Sequence, residues 1–293
     1  MDTADGVDIG PHLGAFILGI WLNTLLYGVV VSGYYHYAFH SQKDPWPLRL
    51  FIVFLFVADT AQTGLSVVYA YTGLVTHFGG SHYLSTPGIV STSLPAITGI
   101  ISCSVELFFT YRVYAISHSI WLSAFIPVLA VASMLCAIGS VIAIRWPGMS
   151  GIESLQRPVA KGLVSTWLVT GVVADILITV SLVWHLHRRK SGFSSTDSLV
   201  NQIIRLTVQT GVLTTTWAIL DLALYLASPR ATHLFFNISL AKLYTILLIS
   251  SLNHRGTWET PSSNQLADSC HSWGVESRPA TETQSAYTHA SFV

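Results

Sequence analysis

Five ionisable side chains lie within stretches of this sequence that are otherwise apolar. One is a lysine, Lys242, and four are acids, namely Asp59, Glu106, Asp175 and Asp221. A charged side chain near the centre of a bilayer costs about 2.5–3.5 kcal/mol on insertion scales, so we expect each to face the protein interior. Such groups usually bind a ligand or an ion, relay protons or form ion pairs. Because the acids outnumber the lysine, we expect some of them to be protonated, to share a proton or to bind a cation.

The composition is that of a membrane protein. Of 293 residues, 51% are hydrophobic and 10% are charged, with a mean hydropathy of +0.55, whereas about a quarter of a soluble domain is charged. Equal numbers of basic and acidic residues, 14 of each, argue against a nucleic-acid partner, which requires an excess of Lys and Arg. The cysteines Cys103, Cys136 and Cys270 lie in two apolar segments and a polar tail, so we predict neither a disulfide framework nor a zinc site.

Seven segments are long and apolar enough to cross about 30 Å of hydrocarbon. We therefore predict an all-α fold, a polytopic membrane protein whose residues 1–253 form a bundle of seven transmembrane helices, with the lipid bilayer as its surroundings. The remaining residues, 254–293, are rich in Ser and Thr and too poor in apolar residues to form a core, so we predict a disordered tail. The predicted spans cover approximately 12–37, 48–72, 90–113, 120–144, 161–186, 203–227 and 232–253.

The distribution of Lys and Arg predicts the orientation of the bundle. Eight basic residues lie at one set of membrane ends and four at the other, and the richer set usually faces the cytosol. We therefore predict an outside amino terminus and a cytoplasmic tail, with the plasma membrane as the default location. The densest cluster, "HLHRRKSGF" from His185, would lie on the inner face, where anionic lipid or a signalling partner can dock. The richer set comprises Lys43, Arg49, Arg112, Arg188, Arg189, Lys190, Arg205 and Arg255; the poorer set comprises Arg145, Arg157, Lys161 and Arg230.

Helical spacing predicts a polar seam on most spans. Residues four apart share a helix face, and the third span has Thr98, Ser102, Glu106 and Thr110 at this spacing. We interpret the Ser and Thr residues as interhelical contacts and the five ionisable residues as a ligand- or ion-responsive core, with Asp59, Asp175 and Lys242 foremost. The other seams are Asp59, Gln62, Thr63 and Ser66; Gly171, Asp175 and Thr179; Thr207, Thr210, Thr214 and Asp221; Ser239, Lys242 and Thr245; and Asn23 beside Gly19.

Several stretches also carry a family resemblance. The segments "ADTAQT", "ELFFTYRVYAIS", "SGFSSTDSLVNQIIRLTVQTGVLTT" and "AKLYTILLISSLNHR" resemble multi-pass membrane proteins of mushroom-forming fungi. That family is defined by a carboxy-terminal domain of unknown function (domain of unknown function 6534 type), which here would cover about 174–255. Asp59, Asp175 and Lys242 match positions typical of the pattern, whereas Glu106 replaces the typical glutamine and "ADT" replaces "LDT". The resemblance implies the architecture and no particular activity.

Two functional classes fit these observations. A receptor-like sensor agrees with seven helices and a cytoplasmic tail rich in sites for phosphorylation, and it implies a small ligand or a cytoplasmic signalling partner. The marks of rhodopsin-type receptors are missing, because "TYRVY" stands where an acidic-Arg-Tyr triplet would close the third helix. The alternative is a proton-coupled small-solute transporter that uses the buried carboxylates, although the sequence lacks a convincing inverted repeat. We predict the sensor first and the transporter second.

Catalytic and cofactor-binding functions receive less support. The histidines at the inner ends of the first and fifth spans, His36 with His40 and His185 with His187, make a metal site conceivable, but such residues are at home at a membrane interface. A retinal Schiff base on Lys242 would call for an acid four residues earlier, where Ile238 stands. We therefore predict no enzymatic activity, no cofactor and no metal ion.

Overall fold

The computed structural model describes residues 9–40, 44–76, 89–117, 120–145, 158–188, 194–227 and 231–256. All regular structure in these ranges is helical, and seven of the helices are long and apolar enough to span a membrane. The predicted all-α, seven-helix architecture is therefore confirmed. The helices are α1 (Ile9–His40), α2 (Trp46–Tyr71, extended by a π-helical turn over Thr72–Thr76), α3 (Ile89–Ser117), α4 (Ile120–Arg145), α5 (Pro158–Arg188), α6 (Ser194–Ala227) and α7 (Leu234–Gly256, preceded by a 3₁₀ turn over Ala231–His233).

Prolines contribute to the helix boundaries. Pro47 lies in the first turn of α2, after extended backbone at Pro45, and α5 begins at Pro158. Proline suits the first turn of a helix, because its missing N–H has no partner to lose there. Pro95 and Pro127 instead lie inside α3 and α4. Neighbouring helices and side chains commonly satisfy the backbone groups freed by such prolines in membrane proteins.

Consecutive helices pack antiparallel, as short connections between spans require. Phe16 of α1 contacts Tyr69 of α2 edge to face, while Tyr34 contacts Phe56 nearer the other end. One contact in each of the next pairs fits the same reversed direction. These contacts are Phe51 with Phe108, Gly99 with Ala137, Ser133 with Trp167, Thr179 with Gly211, and Trp217 with Ser239.

Helix α7 is the central helix of the bundle. In its spanning segment, Leu234–Asn253, 61% of the most apolar window is buried, against 56% for α3 and between 28% and 39% for the other five spans. It runs parallel to α1, because Gly19 lies against Phe235 and Gly33 against Ile249. The outward faces of the other helices carry exposed apolar side chains such as Trp121, which suit contact with lipid.

Some sequence predictions lie outside the described residues. Helix α7 continues to Gly256, and the remainder of the predicted tail, 257–293, is not among them. The same holds for Lys43, Arg189 and Lys190 of the predicted basic set.

Candidate functional site

All five predicted ionisable residues are buried. Lys242, Asp59 and Asp221 have no exposed surface, Glu106 is 1% exposed and Asp175 is 7% exposed. The prediction that they face the interior is confirmed. They do not converge on one lysine, however, because α7 contacts them at three places along its length, through Asn237, Lys242 and Tyr244.

The lysine site consists of Lys242, Asp59 and Gln62. The Lys242 ammonium donates to Asp59 Oδ1 at 2.9 Å, to the backbone oxygen of Asp59 at 3.0 Å and to Gln62 Oε1 at 2.6 Å. An ammonium group has three protons, so each has an acceptor. The face of the Tyr27 ring lies 5.8 Å from Nζ and adds a cation–π contact. These contacts offset the loss of hydration at the buried amine.

A hydrogen-bond chain continues from the lysine site to α3. Gln62 Nε2 donates to Thr98 Oγ1 at 2.8 Å, and Thr98 donates to the carbonyl of Leu94 at 3.1 Å. The amide of Gln62 therefore accepts from Lys242 on α7 and donates to α3, which ties three helices together. Asp59 Oδ2 makes no hydrogen bond of normal geometry among the described residues, and the Thr245 hydroxyl of α7 lies near this carboxylate.

The acid pair consists of Glu106 on α3 and Asp175 on α5. Tyr244 of α7 donates its hydroxyl hydrogen to Asp175 Oδ2 at 2.8 Å. Neither oxygen of Glu106 has a hydrogen-bond partner within the described part of the chain. Both acids line a cavity that leaves about 20 Å³ for the centres of water-sized molecules, and about 10–15 Å³ suffices for one. The cavity extends from the acid pair towards Ser251, near the carboxyl end of α7.

A third cluster, the amino-end site, lies near the start of α7 and comprises Asp221, Asn237, Tyr225 and His233. Asn237 donates to Asp221 Oδ2 at 2.9 Å. His233, in the 3₁₀ turn before α7, is 6% exposed and contacts the Tyr225 ring edge to face at 4.8 Å. Burial lowers the pKa of His233 to about 4, because the imidazolium form would lose its hydration. His233 is therefore neutral near pH 7.

Most described residues of the predicted seams are buried, whereas Thr179 and Thr207 are half-buried. Gln62, Ser66, Thr98, Ser102, Thr110, Ser239 and Thr245 are at most 4% exposed. Asn23 is also fully buried, and neither of its amide atoms has a hydrogen-bond partner among the described residues. The side chain of Thr210 lies outside the described residues.

Three residues that contact the buried ionisable groups were not singled out from the sequence, namely Asn237 beside Asp221, Tyr244 beside Asp175 and Tyr27 beside Lys242. A usable signal exists for the two on α7. Asn237, Ser239, Lys242, Tyr244 and Thr245 spread over about 220° of the circumference of one helix at about 100° per residue. A span that is polar over more than half of its circumference must be largely surrounded by protein.

The membrane-interface features are partly described. At the end of α5 the Arg188 guanidinium lies 4.8 Å from the centre of the Trp184 ring, and both side chains are exposed.

Among the residues that the structure describes, no group of three or more His, Cys, Asp or Glu is placed to hold a metal ion.

The fold defines an integral membrane protein with seven apolar helices. Residues 171–257 match the model of a family of unknown function, DUF6534. No curated protein and no solved structure matches the chain. The matched region holds most of α5 and all of α6 and α7, so it includes Asp175, Asp221 and Lys242, whereas Asp59 and Glu106 lie outside it.

Proposed function

We propose that this protein is a receptor-like sensor in which an ion or a small polar ligand acts on the buried core and changes the packing of α7. The observation that carries the proposal is that α7 supplies a polar partner to three acids on three different helices. The contacts are Asn237 with Asp221 on α6, Lys242 with Asp59 on α2, and Tyr244 with Asp175 on α5.

Such an arrangement couples the acids to one another. Electrostatic contacts are stronger in a low-dielectric interior than in water, so a change of charge at one acid changes the force on α7. A ligand shifts such an equilibrium only by its difference in affinity between two states. A cation or a proton donor that binds one acid meets this condition, because it weakens that acid's contact with α7.

The carboxyl end of α7 is where such a change would be transmitted. Arg112 of α3 hydrogen-bonds to Ser251, and Asn253 donates to the Gly33 carbonyl of α1 at 3.0 Å. In the proposed orientation, with the amino terminus outside at the plasma membrane, this end of α7 faces the cytosol and a signalling partner there. The proposal assigns the chain no catalytic activity.

A proton-coupled small-solute transporter is the second candidate. It is supported by the cavity that leads from Glu106 and Asp175 towards Ser251, because a carboxylate on such a path can bind and release a proton during transport.

Reconstitution into liposomes separates the two candidates. The measurement is the decay of an imposed pH gradient, with and without a pool of small metabolites, for wild-type protein and the Asp175→Asn variant. The sensor proposal predicts equal, slow decay for both proteins, each shown to be folded by gel filtration. Fast decay that needs Asp175 would overturn the sensor in favour of the transporter.

A further inference from the structure

We propose that the cavity between α3, α5, α6 and α7 binds a dehydrated monovalent cation of about the size of sodium, held by the carboxylates of Glu106 and Asp175. The inference rests on the proposed function, because it names the ion to which the core responds. It differs from the lysine site, where Lys242 already neutralises Asp59.

Glu106 is the side chain that points most directly to a ligand. It is 99% buried, with 1% exposed, and neither of its carboxylate oxygens has a hydrogen-bond partner within the described ranges. A buried polar group without a partner is destabilising, and a charged one more so. Asp175 differs, because it accepts the Tyr244 hydroxyl. A cation between the two acids would satisfy Glu106 and offset the repulsion between two carboxylates.

The described side chains around the acids include no cation that compensates the charge of this pair. Among the described residues that line the cavity, none is Lys, Arg or His. The Lys242 ammonium is directed to Asp59 and Gln62 instead. Arg112 hydrogen-bonds to Ser251 at the far end of the cavity and lies over the Phe109 ring. The described residues of the lining therefore supply no positive charge to the acid pair, and a bound cation would supply it.

The donor atoms and the space suit a small, hard cation. The polar side chains of the lining are carboxylates and hydroxyls, including Thr179, Thr214 and Tyr244, and oxygen ligands select hard cations over softer metals. About 20 Å³ is open to water-sized molecules, room for one ion and at most about one water. A second space of about 10 Å³ lies on another side of Glu106. Calcium prefers six to eight oxygen ligands, and magnesium keeps several waters, so a monovalent ion fits this space better.

The test uses the full-length protein in detergent. Thermal stability is measured in 300 mM NaCl and in 300 mM choline chloride, which have the same ionic strength, and binding of ²²Na⁺ is measured directly. We expect sodium to raise the Tm of the wild type by about 2–5 °C, with saturable ²²Na⁺ binding at one site per chain. Glu106→Gln should abolish both effects. The control is Ser140→Ala on α4, which also removes a buried polar group but lies outside the cavity lining and hydrogen-bonds to Ala137 of its own helix, and it should keep both.

Sodium binding to the wild-type protein tests the cation site even if Glu106→Gln does not fold. Absence of saturable ²²Na⁺ binding to folded wild type would overturn the cation site, as would saturable Ca²⁺ binding in place of Na⁺. Sodium effects that folded Glu106→Gln retains would overturn it as well. If sodium does not bind, but neutralisation of Asp175 still changes hydrogen exchange in α7, the cation site is wrong and the sensing role stands. If sodium binds, but neutralisation of Asp175 leaves hydrogen exchange in α7 unchanged, the sensing role is wrong and the cation site stands.

Discussion

Lys242 places an ammonium group in the middle of a membrane-spanning bundle, and the atoms around it account for its presence. Each of its protons has an oxygen acceptor, two on Asp59 and one on Gln62. A buried ion pair of this kind contributes little net stability compared with apolar residues of similar volume, yet removal of one partner leaves the other charge uncompensated. The pair therefore fixes how α2 and α7 pack and makes that packing sensitive to charge.

Loss of the lysine should therefore destabilise the protein more than loss of the whole pair. We expect Lys242→Met to lower the free energy of unfolding by about 3–5 kcal/mol, because Asp59 is then buried without its partner. The double variant Lys242→Met with Asp59→Leu should recover most of this loss. Thermal unfolding in detergent measures both, and a double variant no more stable than the single one would show that the ion pair is not the cause.

His233 should contribute to acid sensitivity of the fold. Its pKa is lowered to about 4 in the folded protein from 6.5, so the unfolded chain binds more protons between these values. Stability should therefore fall as pH drops from 6.5 to 4, by up to about 3 kcal/mol from this residue. His233→Phe keeps an aromatic ring against Tyr225 and should remove that part of the decline. Unfolding curves measured from pH 7 to 4.5 test this, and identical slopes for the two proteins would contradict it.

The sequence predicted burial at the residue scale but not pairing. Spacing of four residues placed Asp59, Glu106 and Lys242 on inward faces, and all three are buried. Which acid meets Lys242 depends on the order and rotation of the helices in the bundle, which are long-range properties that no local pattern contains. The pairing with Asp59, and the lack of a hydrogen-bond partner for Glu106 among the described residues, therefore emerge only from the structure.

At the scale of elements, α7 is held by close contact as well as by polar bonds. Gly19 allows the backbone of α1 to touch that of α7, because a Cβ there would lie 2.9 Å from the Cα of Phe235. Small residues permit such approach between membrane helices. The fit places Asn237 and Lys242 at the depth where their partners lie on α6 and α2.

Enlarging Gly19 should separate α1 from α7. We expect Gly19→Ala to destabilise the protein by about 1–3 kcal/mol, because the atoms it would meet are backbone atoms with little freedom to move. Gly28→Ala on the same helix is the matched control, because nothing lies within 4 Å of a Cβ at that position, and it should be neutral or slightly stabilising. Equal loss of thermal stability in both variants would show that the contact of Gly19 with α7 is not the cause, and would contradict the prediction.

Hydropathy located the spans well and their helix ends less well. Each predicted span overlaps one helix, but α6 begins at Ser194 rather than at the predicted 203. The residues before 203 form a polar stretch, "SSTDSLVNQ", which hydropathy excludes although a helix can continue beyond the bilayer. Apolar length reports the part of a helix in lipid and not where its hydrogen bonds end.

At the scale of the whole molecule, the orientation in the membrane remains a prediction from charge. Eight basic residues against four place the amino terminus outside. In intact cells an epitope tag before Met1 should bind antibody, and a tag after Val293 should bind only once the cells are permeabilised. The reverse pattern would place the carboxyl end of α7 outside and contradict the proposed route to a cytosolic partner.

The central claim is that the charge of a core acid controls α7 along its length. Hydrogen–deuterium exchange of wild-type protein and Asp175→Asn tests it most directly, because the substitution mimics neutralisation by a bound ion. We predict about fivefold faster exchange over residues 247–253, for a loss of about 1 kcal/mol, with α4 unchanged, since its residues 121–144 include no charged side chain. Altered exchange confined to α5, with α7 as in the wild type, would contradict the claim.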